Sequence, residues 1–184
     1  GYYTVVLSRS MLDNKAIKYY QNDKSNPNNL ILNYQSQEIE NKLRLENTVR
    51  AGDFRLNYGV GYEFARYNNS TFNRIFTSAG AQTIDYNSAF NFSKYNVFGQ
   101  ISRKFVDNRL SLSAGIRADA NTSSEEMSNL LEQLSPRFSA SYSLTKNLAL
   151  NFNAGIFYQL PPYTILGYQQ GGEFINKNNG IKYI

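Results

Sequence analysis

Apolar and polar residues alternate at every second position through much of the chain. In residues 54–64 the even positions are all apolar, namely Phe54, Leu56, Tyr58, Val60, Tyr62 and Phe64. The odd positions between them are small, polar or charged. Successive side chains of a strand point to opposite faces, so this period predicts strands with one apolar and one polar face. The same pattern recurs in residues 38–50, 109–119 and 148–160.

The alternation predicts seven strands in one partial barrel segment that covers residues 1–184. Their predicted bounds are 3–11, 38–50, 54–67, 93–106, 109–120, 136–145 and 148–160. Short turns with Gly, Asn or Asp are expected at 50–53, 106–109 and 144–148. Long loops are expected at 68–92, 121–134 and 161–184, and residues 12–37 show no clear pattern. Proline cannot donate a ladder hydrogen bond, so Pro161 and Pro162 should end the last strand and Tyr163 should begin an outer loop.

Short turns on one side and long loops on the other are typical of an up-and-down transmembrane barrel. Most of the predicted strands also reach the roughly 9–11 residues that a membrane strand needs. The sequence therefore predicts an all-β, antiparallel segment of a transmembrane β-barrel. The alternative is a self-contained soluble β-barrel or β-sandwich that binds a ligand. In that alternative the apolar face of residues 148–160 would turn inward.

Composition narrows the function classes without changing this fold prediction. Mean hydropathy is −0.50, which amphipathic strands produce even inside a membrane. The chain has no Cys and no His, which removes Cys nucleophiles, His bases, disulfides and the usual zinc sites. We therefore expect no enzyme activity, cofactor or metal. Its 19 basic and 14 acidic residues are dispersed, so nucleic acid is not an expected partner.

Charged residues of both signs alternate along the polar face of residues 38–50. Glu38 and Glu40 form a carboxylate pair there, and Lys42 and Arg44 follow on the same face. A glycosidase pair needs two carboxyls that flank a cleft, whereas these acids each have a basic neighbour. The pattern favours a ladder of charges that lines a polar lumen.

The predicted loops contain aromatic and polar residues of the kind that contact ligands. Aromatic rings beside amides suit stacking on sugars or planar chelates. The same residues also suit loops that only pack on their neighbours. The candidate ligand-contacting residues are Phe72, Arg74, Phe76, Tyr86, Tyr163, Tyr168, Gln169 and Glu173.

Three segments together resemble a known family. They are KLRLENTVRAGDFRLNYGVGYEF (42–64), FGQISRKFVDNRLSLSAGIRADANT (98–122) and LSPRFSASYSLTKNLALNFNAGIFYQLPPYTIL (134–166). In order and spacing they resemble the β-barrel of TonB-dependent outer-membrane receptors, in particular those of Bacteroidetes. The resemblance implies a place in the bacterial outer membrane and a role in nutrient uptake. Members are several times longer, so we expect an internal barrel-wall fragment that lacks the plug and is inactive alone.

The resemblance also implies partners for the parent protein. These are the lipid bilayer, a plug domain, TonB through the missing N-terminal part, and a small nutrient. The nutrient itself, whether siderophore, cobalamin, glycan or peptide, is not predicted. An isolated fragment is expected to self-associate through its edge strands. The residues expected to face the lumen and plug are Glu38, Glu40, Lys42, Arg44, Glu46, Arg50, Arg55 and Glu63.

Overall fold

A computed structural model describes residues 1–78 and 80–176, and the backbone of 182–183. The seven main strands are β1 (Tyr2–Tyr19), β2 (Leu30–Ala51), β3 (Phe54–Thr77), β4 (Gly80–Phe105), β5 (Leu110–Asn121), β6 (Leu134–Ser143) and β7 (Ala149–Gly155). Four short strands are β8 (Tyr158–Gln159), β9 (Gln169–Gln170), β10 (Glu173–Phe174) and β11 (Lys182–Tyr183). Helical structure consists of α1 (Tyr163–Leu166) and 3₁₀ turns at Tyr20–Asn22, Pro27–Asn29, Glu126–Ser128 and Leu130–Gln133.

The seven main strands form one antiparallel sheet in chain order, β1 to β7. Each strand pairs with the next in sequence, as an up-and-down barrel wall requires. Within the described residues β1 and β7 are the edges, and the small pairs β9–β10 and β8–β11 stand apart. The predicted fold class, an antiparallel β-barrel segment, is confirmed. Among the described residues no helix is long and apolar enough to cross a bilayer.

The two faces of the sheet have opposite chemistry because the register aligns the alternation of neighbouring strands. Leu45 pairs with Val60, and Val60 pairs with Val97, so apolar residues stand in rows across the strands. This apolar face is exposed: Leu150 and Phe152 are each 59% accessible. The soluble alternative required Leu150 and Phe152 to turn inward, so it is not favoured. We call the apolar side the outward face and the other side the lumenal face.

Two of the predicted boundaries are wrong at the end of the sheet away from the short turns. The predicted loop 68–92 is mostly strand, because β3 runs to Thr77 and β4 starts at Gly80. Beyond Phe64 the outward positions become polar, beginning with Arg66 and Asn68. The strands therefore continue without the alternation that marks their lower parts. Residue 79 of the predicted loop lies outside the described part.

Residues 12–37, which showed no clear pattern, are also largely strand. β1 continues to Tyr19 and pairs with β2 from Leu30 onward. The connection between them is ordered by side chains, since Asp23 accepts hydrogen bonds from the backbone and hydroxyl of Ser25. These bonds lower the pKa of the Asp23 carboxyl.

The segment after β7 differs most from its prediction. The regular strand ends at Gly155, before the predicted end at 160, although the Ile156 N–H still bonds Pro136. The chain does not start a free outer loop at Tyr163. Residues 156–176, here called the returning segment, fold back so that Tyr163 and Leu166 pack against β3 and β4. The predicted loop residues 177–181 and 184 lie outside the described residues.

Candidate functional site

Four charged side chains on the lumenal face of β2, β3 and β4 form a closed ring. Lys42 Nζ lies 2.6 Å from Glu40 Oε2 and 3.3 Å from Glu63 Oε2. Lys94 Nζ lies 3.1 Å from Glu40 Oε1 and also contacts Glu63 Oε1. Each carboxylate thus contacts both ammonium groups, and the ring has no net charge. We call Glu40, Lys42, Glu63 and Lys94 the ion ring.

Strand register explains how three strands build the ion ring. Lys42 pairs directly with Glu63, and Glu63 pairs directly with Lys94. Opposite charges at facing positions of neighbouring strands stabilise a sheet. Glu40 lies two residues from Lys42, on the same face, and closes the ring. The side chains are 17–43% exposed, so solvent screens them in part and the net stabilisation is modest.

An aromatic surface lies beside the ion ring, toward the long-strand end of the sheet. It consists of Tyr67, Phe90 and Phe92, and we call it the aromatic seat. Phe90 and Phe92 have ring centroids 5.9 Å apart, and Tyr67 lies 5.3 Å from Phe90. Tyr67 and Phe92 are almost fully buried, at 1% and 3% exposure. What buries them is the returning segment, which contributes Tyr163 and Leu166 to the same core.

Tyr163 joins the aromatic seat to the ion ring. Its hydroxyl donates a hydrogen bond of 2.5 Å to Glu40 Oε1. Its ring meets Phe92 edge-on at 5.5 Å, and Lys94 Nζ lies 5.0 Å from its centroid. Burial, followed by the hydrogen bond to Glu40, raises the pKa of the Tyr163 hydroxyl. The hydroxyl therefore stays protonated and remains a donor to the carboxylate.

The local sequence of the returning segment allows this close approach. Pro162 precedes α1 and accepts the first hydrogen bonds of its turn, from Ile165 and Leu166. Gly167 ends the turn directly against the seat. A Cβ at Gly167 would lie 2.7 Å from Tyr67 Cε1 and 3.0 Å from Ser88 Oγ. A side chain at this position would push α1 away from the sheet.

A second lumenal feature is an open concavity nearer the short turns. Its volume is about 890 Å³. Three arginines line it, and two of them have acidic partners. Arg44 lies 3.5 Å from Glu46, and Arg117 holds both oxygens of Asp119 at 2.7–3.0 Å. Arg137 instead stacks over Phe157, 4.7 Å from the ring centroid.

Comparison with known proteins agrees with this architecture. The family model for the TonB dependent receptor-like β-barrel matches residues 3–182. The chain belongs to this family. The match confirms the predicted membership of the TonB-dependent receptor family and the predicted location in the bacterial outer membrane. No curated protein matches the sequence.

A solved structure shares the fold of the receptor barrel chain. It is the copper transporter OprC, with a TM-score of 0.59 and 18% sequence identity. The match covers 89% of this chain and 29% of the OprC chain, so the present chain spans less than a third of that transporter. At this level of sequence identity, the similarity to OprC shows a shared fold. Among the described residues no group of three or more acidic, His or Cys side chains could hold a metal ion.

The eight residues predicted to face the lumen of the receptor barrel share one face. They are Glu38, Glu40, Lys42, Arg44, Glu46, Arg50, Arg55 and Glu63. Three of them belong to the ion ring. Glu46 accepts a hydrogen bond of 2.6 Å from Asn57, and Arg55 reaches the Tyr2 hydroxyl at 3.5 Å.

The candidate ligand-contacting residues do not come together in one place. Phe72, Arg74 and Phe76 lie on outward positions of β3, and Arg74 donates to the Asn28 carbonyl at 2.5 Å. These three and Tyr86 were expected in a loop, and they lie in strands because the hairpin extends beyond the apolar band. Tyr86 is lumenal and meets Tyr168 at 5.6 Å.

The remaining candidates belong to the returning segment. Gln169 and Glu173 lie in the small β9–β10 pair next to Tyr168. Tyr163 is only 6% exposed, and its hydroxyl is engaged by Glu40. In this arrangement Tyr163 therefore presents no free surface to a ligand.

Sequence reasoning missed Lys94 and the aromatic seat. The signal for Lys94 was present, because it occupies a polar position of the alternating run that contains Tyr95 and Val97. Pairing β3 with β4 in register would have placed it opposite Glu63. The seat had no comparable signal, since Phe90 and Phe92 are apolar residues on the face that is polar elsewhere.

Proposed function

We propose that the chain forms a wall segment and outer loops of a receptor that imports a scarce nutrient across the bacterial outer membrane. One observation is the main support for this proposal. Every main strand has exposed apolar side chains on the outward face, whereas the lumenal face has paired charges. Lipid on one side and a polar interior on the other account for both faces. Membership of the receptor family supports the same conclusion.

The proposed partners follow from the two faces and the family. The outward face would contact lipid, and the eight charged lumenal residues would face a plug domain. In the complete protein TonB would act through the plug. The substrate of OprC is not carried over, because the described residues contain no metal-ligating cluster. We expect no catalysis, since the ring carboxylates of Glu40 and Glu63 are each held by two lysines.

We further propose that a small nutrient is contacted at the long-strand end of the lumenal face. Tyr86, Tyr168, Gln169 and Glu173 are gathered there and offer aromatic, amide and carboxylate groups. Phe72, Arg74 and Phe76 lie on the opposite face and would meet only a ligand outside the barrel. The isolated chain is also expected to self-associate, because unpaired edges such as those of β1 and β7 recruit further strands.

Uptake by cells that carry or lack the complete protein tests the transport proposal. The probes are ⁵⁵Fe-loaded hydroxamate and catecholate siderophores, ⁵⁷Co-cyanocobalamin, a fluorescent oligosaccharide and a fluorescent peptide. We expect one probe to accumulate only when the gene is present, and a protonophore to abolish that accumulation. Equal accumulation of every probe with and without the gene would contradict the proposal.

A further inference from the structure

The end of the sheet that holds the short turns is strongly basic. Residues 50–55, 103–109 and 144–148, which contain these turns, hold six basic and only two acidic side chains. The whole chain has a net charge of +5, so most of its excess positive charge lies at this one end. The short turns of an outer-membrane barrel lie on the periplasmic side. The charges are Arg50, Arg55, Arg103, Lys104, Arg109 and Lys146, against Asp53 and Asp107.

Two of these cations, Arg103 and Arg109, lie over aromatic rings of the outward face. The Arg103 guanidinium carbon is 4.9 Å from the centroid of the Phe54 ring and 5.0 Å from that of Phe105. The Arg109 guanidinium carbon is 5.5 Å from the centroid of the Tyr142 ring. The strand register places all three rings on the outward face, at the end of the apolar band next to the short turns. Aromatic residues at the end of such a band mark the membrane interface.

Arg109 combines a fixed position with donors that remain available. Its Nε donates to the Ser143 carbonyl at 3.2 Å, and its Nη2 donates to the Leu144 carbonyl at 2.9 Å. No acidic side chain in the described part of the chain forms an ion pair with it. A guanidinium has five N–H donors, so three remain for an anion after these two bonds. Arg103 differs, because its Nη2 already bonds Asp53 Oδ2 at 2.8 Å.

We propose that Arg109 binds the phosphate of an anionic phospholipid in the periplasmic leaflet. The Tyr142 ring and the two carbonyls hold the guanidinium in place, and the planar fork of its remaining N–H groups suits phosphate oxygens. The basic turns add a longer-range attraction for negative headgroups. The inference rests on the lipid contact of the outward face, which is part of the proposed function. The acyl chains lie along the outward positions of β5, namely Leu110, Leu112, Ala114 and Ile116.

A fluorophore on β5 measures which lipid lies beside Arg109. Ala114 is an exposed outward residue, and Ala114→Cys carries a bimane in the complete protein, with any other cysteine replaced. The protein is reconstituted in phosphatidylcholine vesicles that contain a small fraction of phosphatidylglycerol or phosphatidylcholine with a nitroxide on one acyl chain. Either lipid quenches bimane on contact. The ratio of the two quenching constants is the enrichment of phosphatidylglycerol, and we expect it to be roughly fivefold.

Two variants distinguish a site at Arg109 from a general attraction to the basic turns. Arg109→Gln should remove most of the enrichment, because the group that holds the phosphate is lost. Lys146→Gln removes the same charge from an exposed turn residue that makes no hydrogen bond or ion pair among the described residues. Its effect should be less than about twofold, because solvent screens an exposed charge. Equal losses in the two variants would show a diffuse attraction and overturn the site.

Further outcomes separate this site from other sources of phosphate and from the transport proposal. Equal quenching by the two lipids in the parent protein overturns the site, whether or not the Arg109 variant assembles. Added sodium phosphate should lower the enrichment no more than sodium chloride of equal ionic strength, and a larger effect would show a site for free anions instead. Absence of quenching by either lipid would contradict the lipid contact of the outward face. Uptake of a nutrient is measured separately, and its absence contradicts only the transport proposal.

Discussion

Alternate residues of β3 face two different surroundings, and comparison of the two faces explains much of the sequence. Tyr58, Val60 and Tyr62 point outward and are 47–49% exposed. Between them Gly59 and Gly61 point to the lumen, where neighbouring side chains fill the space above them. The outward face is mostly apolar because one apolar solvent meets it. The lumenal face is varied because each of its groups needs a particular partner.

The same difference appears within each face when the two ends of the β3–β4 hairpin are compared. On β3 the outward positions near the short turns are apolar, and the next three, Arg66, Asn68 and Ser70, are polar. The lumenal positions change in the opposite direction, from the charged Glu63 to the buried Ala65 and Tyr67. The strands therefore leave the bilayer where the lumenal face acquires an apolar core. That core is the seat of the returning segment.

The largest effect is expected from a charge placed on the outward face. Phe152 lies midway along the apolar run of β7 and is 59% exposed. In a bilayer Phe152→Arg should destabilise the barrel by about 2–4 kcal/mol, because the guanidinium would lie in hydrocarbon. Asn153→Arg, one residue away on the lumenal face, should cost less than about 0.5 kcal/mol. Urea unfolding of the complete protein in phospholipid vesicles measures the free energy of unfolding of both variants. Equal losses would contradict the conclusion that the two faces meet different solvents.

An added methyl group should also distinguish the faces, with a smaller effect. A Cβ at Gly59 would lie 2.4 Å from the Leu45 carbonyl oxygen and 2.9 Å from the Phe98 ring. Gly59→Ala should therefore destabilise the barrel by about 1–3 kcal/mol through overpacking. Gly99 is the matched control on the outward face, since a Cβ there meets nothing within 4 Å. If Gly99→Ala proved as damaging as Gly59→Ala in the same unfolding assay, crowding of the lumenal face would not be the cause.

The ion ring should show the smallest of the three effects. Lys94→Met removes one ammonium group and leaves Glu40 and Glu63 with Lys42 as their only remaining ring cation. Because the ring is partly exposed, the loss should be about 1 kcal/mol, well below that of a fully buried pair. Pairing Lys94→Met with Glu63→Gln should recover part of the loss. A double variant whose loss equals the sum of the two single losses would show that the two groups do not interact.

The sequence pattern predicted the residues of the outward face more completely than the contacts of the lumenal face. A period of two is visible wherever one solvent selects every second residue, as at Phe54–Phe64 and Leu148–Ile156. The strand residues between 68 and 92 were missed because the alternation is lost there: outward positions such as Asn68 are polar, and lumenal positions such as Phe90 and Phe92 are apolar. The same alternation puts the charged residues of β2 on one face, but their partners depend on register, which is a property of two strands.

The path of the returning segment could not be predicted from the residue pattern of a single strand. Pro161 and Pro162 were predicted to end the last strand, which already ends at Gly155, and they carry no information on the direction of the chain afterwards. That direction depends on contacts such as Tyr163 with Glu40, which are 123 positions apart in sequence. An aromatic residue that follows a strand can face solvent or a core, and only its partner on another strand decides which.

Spin labels along β3 test whether the two faces of the sheet meet different solvents. Single cysteines at successive positions from Asn57 to Tyr62, in the complete protein in a phospholipid bilayer, carry the nitroxide. Accessibility to oxygen, which concentrates in lipid, should be high at Tyr58, Val60 and Tyr62 and low at the positions between them. Accessibility to a water-soluble nickel chelate should never be high at those three positions. Oxygen accessibility without a period of two, or chelate access to the even positions, would contradict a lipid-facing wall.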